Sequence, residues 1–173
     1  SEDIWANDAT FTIWLVDTVA ASVMPLNTFT GNYISVALSP DQRWVAFWTQ
    51  KMTNMRKLYL ADVNTGEQIL YDELHSLEFI GWNPDSSQFL YRSFEDNQPI
   101  LGDICAAKRP LSGFEVGFTN TTKWVDTQRL LVIGGMPERN QPRPLRLVSL
   151  DGQSTLIATL KEDYPVFRFY FEE

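Results

Sequence analysis

Apolar residues occur along the chain in short runs that turn residues separate. The clearest run is RWVAFW at Arg43–Trp48, which is apolar almost throughout rather than alternating. A strand with one face in water alternates apolar and polar residues, so this run predicts a strand buried on both faces. Gln88–Tyr91 and Arg129–Ile133 repeat the pattern less completely, and no long helical period is present. The pattern therefore predicts an all-β protein.

Two sequence markers recur along the chain with nearly the same period. The first is the hairpin signature LYLADVNTGE at residues 58 to 67, and the second is the turn signature SPDQRWVAF, which begins at Ser39. The aligned positions of the first marker are Asp17, Asp62, Asp103 and Ser149, which are 45, 41 and 46 residues apart. Those of the second marker are Asp41, Asp85 and Asp126, which are 44 and 41 residues apart. Two markers at one period indicate a repeat architecture.

Each repeat predicts a propeller blade of four antiparallel strands in chain order. The innermost strands are predicted near Tyr33–Leu38, Leu77–Trp82 and Thr121–Val125. The second strands are predicted near Arg43–Thr49, Gln88–Ser93 and Arg129–Gly134. The third strands are predicted near Lys57–Asp62, Pro99–Ile104 and Pro144–Ser149. The outermost strands are predicted near Glu67–Tyr71, Gly113–Thr119 and Ser154–Thr159.

The two ends of the chain predict one further blade. Pro165–Tyr170 has the character of an innermost strand, and Glu2–Trp5 that of a second strand. A third strand is expected at Phe11–Val16 and an outer strand near Ser22–Leu26. Paired with each other, the terminal strands would close a single domain, residues 1–173, as a small four-bladed β-propeller without exposed sheet edges. Two alternatives stay open: the chain is an excerpt of a longer propeller, or two chains share one larger ring.

One repeat, residues 33–71, carries a resemblance to a known family. Its sequence SPDQRWVAFWT…KLYLADVNTGEQ resembles the TolB-type, WD-like propeller repeat of bacterial periplasmic and secreted proteins and of the propeller domains of prolyl-oligopeptidase-like enzymes. Residues 77–103 match moderately, and residues 121–160 match in outline. Gln42 and Ser86 stand where the family usually has glycine. The resemblance implies a propeller and a periplasmic or secreted location, but it implies no activity, because this fold carries many.

Composition and charge exclude several classes of partner. The formal net charge is −8 at pH 7, which repels the phosphate backbone of nucleic acids and anionic lipid. No run of 18 apolar residues exists, so we expect no membrane insertion. Cys105 is the single cysteine, which excludes an internal disulfide.

The sequence offers few candidates for catalysis or metal binding. The only histidine, His75, lies between two predicted strands and no G-x-S-x-G motif is present, so a surface-loop histidine is expected. Two cations follow Cys105, yet a quiet, partly buried thiol is favoured over a reactive one. DVNTGE at residues 62 to 67 resembles a calcium loop only faintly, and a hairpin turn explains it better. We therefore expect no catalytic residue, no cofactor and no metal.

A first set of candidate binding residues comes from the innermost strands, which line the axis of a propeller. These strands place Glu78, Lys123 and Arg168 there, each from a different blade. Buried charges are costly unless they are paired or hydrated, so the three side chains could line a small water-filled channel that holds an ion or a polar ligand. Mutual pairing or exposure at the channel mouth is the simpler explanation.

A second set lies in the loops between the second and third strands, which repeat geometry places on one face. The loops are Gln50–Arg56, Phe94–Gln98 and Gly135–Arg143. The candidate partner-binding residues are Met52, Met55, Arg56, Phe94, Met136, Arg139 and Arg143. Methionine, aromatic residues and arginine are enriched where proteins contact partners, which favours a protein partner at this face.

Three hypotheses for the function follow. The leading hypothesis is a non-catalytic binding or protein-interaction propeller of a bacterial, extracytoplasmic protein, with a homodimer left open. The second is an accessory propeller of a larger hydrolase of the prolyl-oligopeptidase kind, which the family resemblance suggests. The third is an enzyme that acts at the axial channel through Glu78.

Overall fold

The computed structural model describes residues 9–31, 33–50, 55–93, 98–112, 122–134 and 142–161. These residues form strands and turns, and none of the described residues is helical. The first seven strands are β1 (Ala9–Asp17), β2 (Ser22–Gly31), β3 (Tyr33–Leu38), β4 (Trp44–Gln50), β5 (Met55–Asp62), β6 (Gln68–His75) and β7 (Leu77–Trp82). The others are β8 (Gln88–Ser93), β9 (Pro99–Asp103), β10 (Arg109–Pro110), β11 (Thr122–Trp124), β12 (Arg129–Ile133), β13 (Arg143–Ser149) and β14 (Ser154–Leu160).

The strands form antiparallel meanders in which each strand pairs with its neighbours in sequence. Three sheets have four strands each, β3–β6, β7–β10 and β11–β14, and a fourth sheet has β1 and β2. The all-β prediction is thereby confirmed, and the predicted strands Tyr33–Leu38, Leu77–Trp82 and Gln88–Ser93 coincide with β3, β7 and β8.

The fourth strand of the sheet β7–β10 is β10, where Arg109 pairs with Leu101 and Pro110 with Ile100. The backbone N–H of Leu111 donates to the carbonyl of Pro99 at 2.8 Å, so the hydrogen bonding to β9 continues one residue beyond Pro110. The outermost strand expected at Gly113–Thr119 stays a prediction. Residues 113–121 lie outside the described part of the chain.

The chain divides into two compact units, Ser1–Leu77 and Glu78–Glu173. The first unit contains β1–β6 and the second contains β7–β14, apart from Leu77 at the start of β7. The single-domain assignment stays a prediction. The closing strands predicted at Glu2–Trp5 and Pro165–Tyr170 lie outside the described residues, so closure of the ring also stays a prediction.

The core of the first unit lies between the sheet β1–β2 and the sheet β3–β6. Phe47 of β4 is fully buried, and its ring lies 4.4 Å from that of Phe29 in β2 and 5.0 Å from that of Tyr59 in β5. Val45, Ala46 and Phe47 are all buried although successive side chains of a strand point to opposite faces. The prediction that this strand is buried on both faces is thus confirmed.

The core of the second unit joins the sheet β7–β10 to the sheet β11–β14. One continuous cluster contains Ile80, Leu90, Leu101, Leu111, Trp124, Leu130, Val132, Val148 and Leu150. The indole N–H of Trp124 donates to the carbonyl of Gly81 at 3.1 Å, so the polar atom of this large side chain is satisfied. On the opposite face of the sheet β7–β10, the rings of Phe79, Trp82 and Phe89 lie within 6 Å of one another.

The repeated acids close the turns by accepting hydrogen bonds from the backbone that follows them. Asp62 Oδ1 accepts the N–H of Asn64 at 2.8 Å, and Asp17 Oδ1 accepts those of Val19 and Ala20, both at 2.8 Å. Asp17 and Asp62, which are aligned positions of the first marker, therefore form Asx turns.

The two positions where the sequence lacks the family glycine have left-handed backbone conformations. Gln42 has φ of 62° and Ser86 has φ of 66°. Glycine adopts this region without steric cost, whereas other residues do not. The turns therefore keep the glycine conformation with other side chains.

A β-bulge occurs at the same place in three sheets. The pairing of β1 with β2 skips Leu26, that of β5 with β6 skips Tyr71, and that of β13 with β14 skips Ile157. These residues are 45 and 86 residues apart, which is one and two repeats. Because β1 and β2 share this bulge with the third and fourth strands of complete sheets, they hold the same two positions in their own sheet.

Candidate functional site

Glu78, the axial candidate in β7, forms an ion pair with the adjacent strand. Its Oε2 atom accepts from Arg92 Nη2 at 2.7 Å and from Arg92 Nε at 2.8 Å. The side chains of Arg92 and Glu78 are 4% and 13% exposed, so both charges are largely removed from water. A buried charge is tolerated when a partner of opposite charge compensates it, and Arg92 supplies that partner.

The other two axial candidates do not extend this pair into a described site. Lys123 of β11 is exposed, and Arg168 lies outside the described residues. Sequence reasoning missed Arg92, although a signal for it existed. A single cation in the otherwise apolar run FLYR needs a buried acid beside it, and Glu78 is the one acid in the preceding strand β7.

Two of the partner-binding candidates hold the ends of strands. Arg56 is the second residue of β5, and its Nη1 donates to the carbonyl of Leu77 at 2.7 Å. Arg143 is the first residue of β13 and is 8% exposed, and its Nε donates to the carbonyl of Gly134 at 3.3 Å. Arg143 therefore joins the two ends of its own connection, and Arg56 joins the start of β5 to the start of β7.

One of the remaining partner-binding candidates lies in a strand. Met55 begins β5, where it is paired with His75 of β6 and half-buried. The other four, Met52, Phe94, Met136 and Arg139, lie outside the described residues. The structure thus describes the bases of these loops, at Gln50 and Met55, at Ser93 and Pro99, and at Ile133 and Arg143.

The residues considered for catalysis and calcium binding occupy structural positions. His75 ends β6 and is exposed. Cys105 is exposed rather than partly buried, because it follows β9 in a turn where its N–H donates to Asp103 Oδ1 at 2.9 Å. Asp62 forms a hairpin turn, and its Oδ2 accepts from Arg43 Nε at 3.2 Å. The turn reading of DVNTGE is confirmed.

Two general features of the described residues bear on metal binding and on membrane spanning. No group of three or more His, Cys, Asp or Glu side chains in this part of the chain is arranged to hold a metal ion. In the same residues, no helix is long and apolar enough to cross a membrane.

The turn carboxylates have the electrostatics of structural groups. The hydrogen bond from the Ser87 hydroxyl holds the pKa of Asp85 below its ordinary value, and the Arg129 guanidinium does the same for the pKa of Asp126. These hydrogen bonds favour the ionised form, so each carboxylate stays charged and acts as an acceptor within its own turn. A general acid would need the opposite shift.

Comparison with known proteins shows the fold. No protein-family model matches the chain, and no curated protein matches it. Among solved structures, an uncharacterised protein from Listeria monocytogenes is similar with a TM-score of 0.67 and 15% identity, over 88% of this chain and 48% of that one. TolB from Acinetobacter baumannii is similar with a TM-score of 0.59 and 19% identity, over 87% and 39%. The β-propeller domain of the Trilobed protease from Pyrococcus furiosus has a TM-score of 0.59 and 15% identity, over 85% and 49%.

The predicted propeller fold and the likeness to TolB-type propellers are confirmed at the level of structure. The chain spans less than half the length of each of these three structures. At such identities the likeness concerns the fold, and the same fold carries unrelated functions.

Proposed function

We propose that the chain is a non-catalytic propeller that binds a protein partner through the connections between the second and third strands of its sheets. The observation that supports this proposal is the way these connections are anchored. Arg143 donates a hydrogen bond to the carbonyl of Gly134 across the β12–β13 connection, and Arg56, beside the β4–β5 connection, donates to the carbonyl of Leu77 at the start of β7. Loops on rigid frames present their side chains in fixed positions, which lowers the entropy lost on binding.

The side chains that would contact the partner are those of the loops themselves. They are Met52, Met55, Phe94, Met136 and Arg139. Methionine and phenylalanine supply apolar contact area, and an arginine at the rim supplies hydrogen bonds. Arg56 and Arg143 act on this surface indirectly, because they hold the strand ends from which the loops leave.

We place the protein outside the bacterial cytoplasm. The support is the resemblance of residues 33–71 to the TolB-type repeat of periplasmic and secreted proteins, together with the structural likeness to TolB from Acinetobacter baumannii. Fractionation of the source cells, followed by detection of the chain in the periplasm or the medium, tests this placement. Recovery in the cytoplasm alone would exclude it.

The binding face is tested by removing its methionines. The triple variant Met52→Ser, Met55→Ser and Met136→Ser should keep the fold and lose partner capture, because it removes the apolar contacts that arginine alone cannot replace. Met24→Ser is the matched control, since Met24 is the remaining methionine and lies half-exposed in β2, which is not one of these connections. The partner is first identified by affinity capture with the unchanged chain and mass spectrometry. The measurement is then the amount of this partner that each variant captures. Equal capture by the triple variant and the control would exclude this face.

A second candidate is an accessory propeller of a larger peptidase. The likeness to the β-propeller domain of the Trilobed protease favours it, because that propeller is one domain of a protease. This chain covers 49% of that domain. Such a propeller would screen or position substrate for a catalytic domain elsewhere in the protein. The complete reading frame decides this point: a hydrolase segment before or after this chain in the same frame supports the accessory role, and a complete frame without one removes it.

A further inference from the structure

The strand β6 forms the outer edge of a complete four-stranded sheet. The sheets β3–β6, β7–β10 and β11–β14 have four strands each, and among the described strands none lies beyond β6. β6 runs over eight residues, Gln68–His75, and the structure describes the chain on both sides of it, from residue 55 to residue 93. The edge of β6 therefore belongs to the repeat and does not result from a missing strand.

The register of β5 and β6 shows which backbone groups face this edge. The N–H of Asp62 donates to the carbonyl of Glu67 at 2.9 Å, which makes the next residue, Gln68, part of a non-hydrogen-bonded pair with β5. The two kinds of pair alternate along an antiparallel ladder, so Leu70 belongs to a non-hydrogen-bonded pair as well. Gln68 and Leu70 therefore turn their N–H and C=O groups away from β5, towards the outer edge.

The outer strands of two other sheets carry proline where β6 does not. In β2, Pro25 directly precedes the bulge at Leu26, and Leu70 directly precedes the corresponding bulge of β6. Proline has no N–H, so β2 lacks the edge donor that Leu70 supplies. β10 has only two residues, the second of which is Pro110. Prolines and short edge strands keep other strands from pairing with a sheet, and β6 has neither device.

Two exposed apolar side chains and an excess of acids accompany the edge of β6. Ile69 is 49% exposed and Leu70 is 50% exposed, and successive residues of a strand lie on opposite faces of the sheet. Glu67 and Glu73 are exposed beside them. Residues 58–91 contain six acids and no lysine or arginine. A strand with apolar and basic side chains would therefore gain both contact area and attraction between opposite charges at this edge.

We propose that the outer edge of β6 at Gln68–Leu70 binds an extended, basic segment of a partner protein as a fifth strand. The outward N–H and C=O groups supply the main-chain hydrogen bonds, and the apolar and acidic side chains beside them select the residues of the added strand. A second copy of this chain suits the edge less, because two β6 strands paired with each other would bring acids opposite acids. The edge would be a binding site in addition to the connections between the second and third strands.

The strand β14 is an internal reference for this edge. It has the same register against β13 as β6 has against β5, since the N–H of Ser149 donates to the carbonyl of Gln153 at 2.9 Å and Leu156 directly precedes the bulge. The charges differ: residues 152–160 contain no acid, and Arg146, which is paired with Leu156, is exposed. A basic segment should therefore pair with β6 in preference to β14, although the backbone offers the same groups at both edges.

Binding of a synthetic peptide to the full chain tests the proposal. The probe is a short peptide of alternating lysine and valine, and its matched control alternates glutamate and valine. Fluorescence anisotropy measures both dissociation constants, and we expect the lysine peptide to bind at least about tenfold more tightly. Hydrogen exchange then locates the peptide: it should slow exchange at the amides of Gln68 and Leu70. The amide of Leu156, which faces the edge of β14, should exchange as before.

The variant Leu70→Pro distinguishes strand pairing from a general attraction between charges. It removes an outward N–H and leaves the ladder with β5 in place, and β2 already has proline at the corresponding position. It should weaken binding of the lysine peptide at least about tenfold, because an added strand loses a hydrogen bond and meets the proline ring. Leu156→Pro is the matched control in β14 and should leave this affinity unchanged.

A second variant keeps the backbone intact. Glu67→Gln combined with Glu73→Gln retains every edge hydrogen bond and removes two charges, so it should weaken the lysine peptide and leave the glutamate peptide no weaker. Circular dichroism checks that each variant keeps the strand content of the unchanged chain.

Three results would overturn the proposal. Equal binding of the two peptides would show that the edge does not select a basic segment. Affinity for the lysine peptide that Leu70→Pro and Leu156→Pro reduce alike, or that neither reduces, would place the peptide elsewhere. A dimer in sedimentation that Leu70→Pro dissociates would show that a second copy of the chain occupies the edge.

Discussion

The buried pair Arg92–Glu78 gives the sharpest quantitative prediction. The variant Arg92→Met keeps the length of the side chain and removes its charge, which leaves the carboxylate of Glu78 with 13% exposure and without this partner. Removal of one member of a buried ion pair costs about 3–5 kcal/mol in the free energy of unfolding. For a chain of this size, about 2–4 °C of melting temperature corresponds to 1 kcal/mol, so the variant should melt roughly 6–20 °C lower.

A second ion pair in the same unit provides a matched control. Arg129 Nη2 lies 2.6 Å from Asp126 Oδ2, close to the 2.7 Å of the buried pair, but its side chains are 50% and 38% exposed. Exposed pairs contribute about 0–1 kcal/mol, so Arg129→Met should change stability little. The two variants therefore differ chiefly in the desolvation of the acid that is left behind.

The double variant Glu78→Leu, Arg92→Met separates the charge from the packing. It removes both charges, and replacing a buried pair by apolar side chains is often neutral or stabilising. We expect it to recover most of the stability that Arg92→Met alone loses. The assay is urea unfolding followed by circular dichroism, with midpoint and slope compared for all four proteins. The reasoning fails if Arg92→Met costs no more than Arg129→Met, or if the double variant is less stable than the single one.

Two further predictions concern the second unit. A Cβ atom at Gly102 would overlap the ring of the fully buried Phe89, so Gly102→Ala should lower the free energy of unfolding by about 1–3 kcal/mol in thermal unfolding. Phe89→Leu should relieve part of that loss, and an unchanged melting temperature of Gly102→Ala would contradict the packing. The hydrogen bond from Ser87 lowers the pKa of Asp85 in the folded chain, so this stabilisation is present above the ordinary aspartate pKa near 4 and is lost as the pH falls below it. Asp85→Asn should make the decline of melting temperature between about pH 6 and pH 2.5 shallower, and an identical decline would contradict the assignment.

The sequence determined the strands and their order, because the signals are local. A continuous apolar run needs burial on both faces, and Val45, Ala46 and Phe47 show it. An Asp followed by turn residues accepts the next backbone N–H groups, as Asp62 does. The period and the turn chemistry together therefore predict the propeller fold without any knowledge of contacts between strands.

The tertiary structure decided which charged residues are available for binding. Composition cannot distinguish an arginine that meets a partner from one that donates to a backbone carbonyl, and Arg56 and Arg143 do the latter. The ion pair joins Glu78 and Arg92, which are 14 residues apart in sequence and lie on adjacent strands. The pairing of these strands brings the two side chains together. Which groups are buried, paired or exposed depends on how sheets pack, and packing joins residues that no local pattern connects.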